Sequence, residues 1–199
     1  VIRVGDQIAE MLEIHTDMSV SERNARVIEV MEDVNLPDAP SMAKSYPHQL
    51  SGGQRQRIMI AIALALEPDL LIADEPTTAL DVTTQAQILD LIKDIQRRHG
   101  TAVLFITHDF GVVAQIADKV VVMRNGQMVE QGTMDHMLHH SIEPYTRMLI
   151  SSVPPLIPPK RALITKGKPI LSTQSLVKTY GAKGWFGKGR VVHAAKRVE

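Results

Sequence analysis

Cysteine is absent from the 199-residue sequence. That excludes disulfides and thiolate metal sites and fits a reducing compartment. Net charge is absent too, because 22 basic residues balance 22 acidic ones. Such a balance offers no general attraction to nucleic acid or to an anionic membrane surface. Long hydrophobic runs are missing as well. The longest, Ile58 to Leu66, is too short to span a bilayer. The first residues lack the basic-then-apolar pattern of a secretory signal, and Val1 is not a start residue. A cytosolic chain, cut at both ends, is the expectation. Its length suffices for one good core or for parts of two domains.

What is present concentrates between Leu50 and Asp81. Ser51 can cap a helix, and Gly52 and Gly53 let a bound group approach the backbone without a Cβ in the way. The first turn of that helix offers free N–H groups and a positive dipole end, which suits an anion. Glu67-Pro68-Asp69 breaks the helix. Leu70 to Ala73 then predicts a short buried strand, apolar on both faces as in parallel sheets. Asp74 and Glu75 stand at its C-terminal end, where open α/β sheets place their ligands. Two adjacent carboxylates there suit phosphate chemistry. One can hold Mg²⁺ through water while the other orients an attacking water. Taken alone, the dipeptide reads equally as a solvated strand end.

Around this stretch the local signals are ordinary. Val4, Ile8, Met11 and Leu12 predict a helix over 5–14. Ser19-x-x-Glu22 is a capping box opening a second helix, with Val27, Ile28, Met31 and Val34 as its stripe and Asn35-Leu36-Pro37 as its end. Tyr46-Pro47-His48-Gln49 predicts a loop in which His48 reads as a surface group. Arg55 and Arg57 read as face charges or partners of acids. Ile88, Leu91, Ile92 and Ile95 mark a helix from about Val82 to Arg98, closed by His99-Gly100. Asp81 is well placed as its N-cap.

Ala102 to Ile106 predicts a second buried strand that delivers His108 to the edge holding Asp74 and Glu75. A helix over 110–117 follows, then strands over 119–124 and 127–131 joined by the hairpin signal Asn125-Gly126. His136, His139 and His140 share a short helix. Their spacing could bind a metal, but no completing acid or cysteine is evident, so a polar face is the plainer reading. Pro144 sits at the start of another helix. Four prolines between Val153 and Lys160 predict a stiff exposed linker. Strands are expected within 169–180 and 191–198, with Trp185 and Phe186 packing locally in the Gly-rich stretch between them.

Four motifs together resemble one family. Leu50-Ser51-Gly52-Gly53-Gln54 resembles the signature motif of ATP-binding-cassette (ABC) ATPases. Leu70 to Glu75 resembles their Walker B strand, Thr78-Ala79-Leu80-Asp81 their D-loop, and Thr107-His108-Asp109 their switch histidine. They occur in family order and at family spacing, within a resemblance running from about Val1 to Ser152. The tail through Val153-Pro154, with Tyr46-Pro47-His48-Gln49, resembles the peptide-importer branch. Lys178-Thr179-Tyr180 resembles the opening of another cassette.

The resemblance implies an α/β fold, a P-loop NTPase (RecA-like) core with a helical subdomain, present in part. The helical subdomain would occupy about 1–66, the RecA-like part about 67–132 and a C-terminal tail 133–152. A Pro-rich linker over 153–168 would lead to the first strands of a second cassette over 169–199. In this family two cassettes face each other, and the signature of one completes the ATP site of the other. Ser51, Gly52 and Gly53, with Gln54 completing the motif, would contact the γ-phosphate across that interface. Asp74 would hold Mg²⁺, Glu75 would polarise the water, and His108 would contact the γ-phosphate. Asp81 would line the interface, beside its plainer reading as an N-cap. Tyr180 would stack on adenine, or else pack locally at a strand end.

The implied protein is the ATP-hydrolysing subunit of an importer for di- or oligopeptides, glutathione or a related solute. It would lie peripherally on the cytoplasmic face of the inner membrane. Its partners would be transmembrane permease subunits, a second ABC domain in the same chain or a homologous subunit and, indirectly, an extracytoplasmic solute-binding protein, with no nucleic acid. A soluble tandem cassette acting on ribosomes or DNA, and a non-hydrolytic regulatory half, are the alternatives. Neutral charge argues against the first; intact Glu75 and His108 argue against the second. One departure matters. No Gly-x-x-x-x-Gly-Lys-Ser/Thr occurs, since 181–189 has alanine at 182 and Gly189 after the lysine. Val1 also falls just after the expected place of the family's glutamine loop. The full gene product is expected to be an ATPase, and these residues alone are not.

Overall fold

In the computed structural model, residues 1–153, 172–180 and 192–198 are described. The expected linker, the Gly-rich stretch 181–189 and the side chain of Tyr180 lie outside them. The chain divides into two units, Val1–Pro154 and Pro155–Glu199.

Helix α1 (Val4–His15) and helix α2 (Val20–Asp33) begin the first unit. The Ser19 capping box is formed: Ser19 N–H donates to Glu22 at 2.7 Å, and Glu22 N–H donates to Ser19 Oγ. Val27, Val30, Met31 and Val34 are buried, whereas Ile28 is only partly so. Asn35, with φ 55°, turns the chain out of α2. The one-turn helix α3 (Ala39–Met42) follows, and Pro47–Gln49 forms a single 3₁₀ turn inside the expected loop. Helix α4 (Gly52–Leu64) starts at Ser51 and ends before the Glu67-Pro68-Asp69 break. Arg57 on α4 donates to the Val34 carbonyl at 2.7 Å, closing the last turn of α2.

Strand β1 (Leu70–Asp74), helix α5 (Val82–His99) and strand β2 (Ala102–Ile106) make a crossover unit. β1 and β2 pair parallel and in register, from Leu70 against Ala102 to Asp74 against Ile106. Ile88, Leu91, Ile92 and Ile95 of α5 are fully or almost fully buried, in one core with α1, α2 and α4. Gly100, with φ 69°, ends α5 in the left-handed conformation that glycine adopts without strain.

The two strands depart from expectation. They are buried on one face only: Leu70 is 50% and Ile72 61% exposed, and Leu104 and Ile106 are 50% and 46% exposed. The inner positions Leu71 and Ala73 are buried, and Val103 and Phe105 pack against the core. An apolar residue on the outer face needs something laid over it, and among the described residues nothing covers it.

Helix α6 (Phe110–Ile116) leads to a hairpin of strands β3 (Lys119–Arg124) and β4 (Gln127–Thr133). Asn125 and Gly126 both take positive φ, 52° and 76°, as a two-residue turn between twisted strands requires. Helices α7 (Met134–His140) and α8 (Pro144–Ser151) pack beside the hairpin, with Met137 fully buried. Glu130 of β4 accepts the Ile142 N–H at 2.8 Å, fixing the chain just ahead of α8. In the second unit, strands β5 (Leu176–Tyr180) and β6 (Val192–Val198) pair antiparallel.

The outer apolar face has a solution consequence. The 199-residue chain alone should self-associate through Leu70, Ile72, Leu104 and Ile106. Light scattering checks this: Ile72→Lys with Leu104→Lys should shift the particles toward monomer. A monodisperse unmodified chain would count against it.

Candidate functional site

β1 and β2 end together, and their ends carry the acidic pair and the histidine. Beyond Asp74 the ladder continues for one more bond, from the Glu75 N–H to the Ile106 carbonyl at 2.8 Å. Glu75 then takes φ 46°, a left-handed conformation that costs an L-residue about 1–2 kcal/mol. Three contacts hold it there. The Thr78 N–H donates to the Glu75 carbonyl at 3.1 Å, and the Thr78 hydroxyl donates to Glu75 Oε2 at 2.9 Å. His108 Nδ1 lies 2.9 Å from Glu75 Oε1. A carboxylate can only accept, so Nδ1 carries the proton, and Nε2 has no partner among the described residues. His108 itself is set by Thr107 and Asp109. The Asp109 N–H donates to Thr107 Oγ1 at 3.1 Å, and Asp109 accepts the Gly111 N–H at 2.8 Å.

The pair shifts both partners. The His108 hydrogen bond, then that of Thr78, holds Glu75 below its usual 4.5. The Glu75 hydrogen bond, aided by its charge, raises His108 above 6.5. Both side chains are well exposed, 44% and 78%, so water screens the pair and its stability contribution is small. Its effect is geometric: one rotamer of Glu75, and an imidazole biased toward the cation. The Asp74 side chain makes no hydrogen bond or ion pair among the described residues, which leaves both carboxylate oxygens available to a cation. No group of three or more histidines, aspartates or glutamates close enough to hold a metal occurs among the described residues. A magnesium site does not need one. Mg²⁺ is commonly held by one or two carboxylates, substrate phosphates and water, and a lone free carboxylate at a strand end fits that pattern.

The signature segment forms the second part of the site. Ser51 N–H donates to Gln54 Oε1 at 2.9 Å, and Gln54 N–H donates to Ser51 Oγ at 3.3 Å. This reciprocal cap occupies Gln54 but leaves the Ser51 O–H proton and the Gly52 and Gly53 N–H groups without acceptors among the described residues. They sit at the positive end of a 13-residue helix. Asp81 caps α5 next door. It accepts the Thr84 N–H at 3.0 Å and the Thr84 hydroxyl at 2.7 Å. The hydroxyl contact is the main reason its carboxyl is held below the usual range. The N-cap reading of Asp81 is therefore realised in the fold.

The structure thus groups Asp74, Glu75 and His108 at one strand edge. Ser51 to Gln54 lie against the turn that ends at Asp81. Tyr180 belongs to β5 of the second unit. Tyr46 and His48 stack at 5.7 Å. His136, His139 and His140 lie on α7, with ring centres 6.1 and 6.4 Å from that of His140. Two residues carry more than their sequence signal suggested: Thr78, which holds Glu75, and Thr84, which holds Asp81. Thr84 was findable, since it stands three residues after an N-cap aspartate.

The Glu75–His108 pair predicts a pH window. Stabilisation from Glu75 is present above pH 4.5 and lost as pH falls through its depressed value. Stabilisation from His108 is present below pH 6.5 and lost as pH rises through its raised value. Both charges coexist between those limits. In protein free of nucleotide and Mg²⁺, an NMR titration of His108 should show a midpoint above 6.5, falling back toward that value in Glu75→Gln. An unchanged midpoint in the variant would remove the pair.

Comparisons with known proteins bear on the family and the fold. A family model described as "ABC transporter" matches residues 2–78, and one described as "Oligopeptide/dipeptide transporter, C-terminal region" matches residues 129–181. Along its whole length the chain is 44% identical to the glutathione import ATP-binding protein GsiA of Escherichia coli (strain K12), and 44% identical to that of Shigella dysenteriae serotype 1 (strain Sd197). It spans 36% of the length of each. Two solved structures are similar: the ATP-binding cassette MJ0796 in a dimeric post-hydrolysis state bound to ADP and Pi, and a dimeric structure of MJ0796 described as a bacterial ABC transporter cassette. Each has a TM-score of 0.59 and 31% identity, covering 67% of this chain and 57% of the other. The fold is accordingly that of part of a P-loop NTPase cassette. On its ordered motifs, its two matched family models and its 44% identity, along its own whole length, to glutathione import ATP-binding proteins, the chain belongs to the ABC transporter family.

Proposed function

We propose that the protein carrying this chain is the ATP-binding and ATP-hydrolysing subunit of an importer for di- or oligopeptides, glutathione or a related small solute. The observation that carries the hydrolytic reading is the fixed Glu75 carboxylate, held by Thr78 and His108 beside the free carboxylate of Asp74. The match over residues 129–181 supports the importer branch. Permease subunits, a second cassette and an extracytoplasmic solute-binding protein are the partners this reading entails. No helix among the described residues is long and apolar enough to cross a membrane. A peripheral place on the cytoplasmic face of the inner membrane fits a subunit that docks on permeases.

The chemistry follows from the positions. Asp74 would hold Mg²⁺, which neutralises charge on the phosphate oxygens when bound. Glu75 orients the attacking water. Its depressed pKa makes it a weak base, so it polarises the water through a hydrogen bond rather than taking the proton early. Protonated His108 can donate from Nε2 to the γ-phosphate while Nδ1 donates to Glu75. Ser51, Gly52 and Gly53 would contact the γ-phosphate held by the facing cassette, and Asp81 would line that interface. Tyr180 is proposed as an adenine contact of a second cassette.

Two predictions follow from these roles. The 199 residues contain no Gly-x-x-x-x-Gly-Lys-Ser/Thr cradle. The isolated chain should therefore not turn over ATP, and calorimetry with Mg-ATP should show weak binding or none; micromolar affinity would overturn this. In the intact subunit, Glu75→Gln keeps size and hydrogen bonding but removes the charge. Turnover at that site should fall about 10²-fold or more, with ATP still bound, whereas Asp74→Asn should weaken Mg-dependent binding itself. Single-turnover hydrolysis with ATP retention measured in parallel separates the two. Normal hydrolysis by Glu75→Gln would reduce Glu75 to a strand-end carboxylate.

A further inference from the structure

The two glycines of the signature segment face different surroundings. A Cβ at position 52 would meet only Leu80 Cδ2, at an ordinary 3.6 Å. A Cβ at position 53 would lie 2.6 Å from Thr84 Cγ2, closer than real Cβ contacts allow, and 3.9 Å from Thr84 Oγ1. The Thr84 methyl cannot simply swing aside. Threonine is stiff at χ1, and here its hydroxyl is committed to Asp81 Oδ2 at 2.7 Å while its N–H donates to Asp81 Oδ1 at 3.0 Å. Turning the methyl away from Gly53 would break the hydroxyl bond. The side chain is thus fixed on one side by the carboxylate of the D-loop turn and pressed on the other against the signature backbone.

We propose that Thr84 is a positioning residue that locks Asp81 to Gly53, so that the D-loop turn and the signature loop move as one rigid edge. Gly53 is then required by packing inside the chain, not only by the approach of a ligand. The lock ties the first turns of α4 and α5 together, so the Ser51 hydroxyl and the Gly52 and Gly53 N–H groups keep a fixed place relative to Asp81. The functional part rests on the proposal that this edge contacts the γ-phosphate of a facing cassette. The structural part does not.

The test uses the intact subunit and two readouts, amide hydrogen exchange at Thr84 and Gln54 and ATP turnover. Gly53→Ala should accelerate exchange of the Thr84 N–H by roughly 5–30-fold, the range a typical overpacking defect produces, and should lower turnover. Adding Thr84→Ser removes the clashing methyl and keeps the hydroxyl. The double variant should recover both the slow exchange and part of the turnover. Thr84→Val alone, which keeps the methyl and loses the hydroxyl, should accelerate exchange at Gln54 as well as at Thr84, and it serves if Gly53→Ala fails to fold. Exchange that stays fast in the double variant, or a Gln54 rate unmoved by Thr84→Val, would overturn the lock. Recovered exchange without recovered turnover would overturn its functional part. An unmodified subunit without turnover would sink the ATPase reading and leave the exchange result standing.

Discussion

The hydrogen bond from the Glu75 N–H to the Ile106 carbonyl, 2.8 Å long, is the last rung of the β1–β2 ladder, and the site hangs from it. In-register parallel pairing puts Asp74 opposite Ile106, two residues short of His108. Because side chains alternate along a strand, a slip of one residue would send Leu71 and Ala73 to the outer face and carry the acidic pair with them. Register is fixed by the buried side. Leu71 and Ala73 are buried, Val103 and Phe105 pack on the core, and α5 closes the crossover with Ile88, Leu91, Ile92 and Ile95. The apolar packing that stabilises the crossover is thus also what brings a carboxylate and an imidazole to 2.9 Å.

Local chemistry was legible in the sequence. Ser19 and Ser51 cap as their side chains allow, Asn125-Gly126 turns the hairpin, and Gly100 ends α5. Each depends on residues within one turn of each other. The meeting of Glu75 and His108 at one edge was legible too, because strand–helix–strand connections place consecutive strand ends together. Burial on the outer face was not. Leu70, Ile72, Leu104 and Ile106 read as core by residue type, yet residue type cannot say what lies over them. The hold on Glu75 was missed for a different reason. A threonine outside a capping position has no fixed partner until the turn around it is built, and Thr78 finds its own only once Glu75 has taken its backbone conformation.

The helical region is tied to the crossover mainly by burial, with polar contacts at its ends. Arg57 of α4 reaches the Val34 carbonyl that ends α2, and Arg98 of α5 bonds Asp33 at the same end. Desolvation lowers the Arg57 pKa, though far too little to discharge a guanidinium. Both arginines therefore satisfy carbonyl and carboxylate groups at a helix C-terminus, where the dipole favours a cation. The end of α2 is held by α4 and α5 together, so α4 cannot shift relative to α5 without disturbing it.

That constraint bears on the signature loop, because α4 and α5 also meet at their N-terminal ends through Gly53 and Thr84. One direct contact at Gly53 and Thr84, and a shared hold on the end of α2, leave little freedom for α4 to slide past α5. A loop at the start of α4 then inherits the position of the crossover that carries Asp74 and Glu75. Thr78 extends the same logic on the other side. It lies in the turn between Glu75 and Asp81, and its hydroxyl holds the Glu75 carboxylate. From His108 through Glu75 and Thr78 to Asp81, Thr84 and Gly53, every link is either a hydrogen bond of 3.0 Å or less, a chain connection of a few residues or a close packing contact. A group bound at the strand edge and one bound at the signature loop would therefore act on a single connected element. Exposure of its charged members means that water weakens each electrostatic link, so the coupling must rest on geometry. Of the non-covalent links in the series, the one made by packing alone, between Gly53 and Thr84, has no charge of its own for salt or pH to act on.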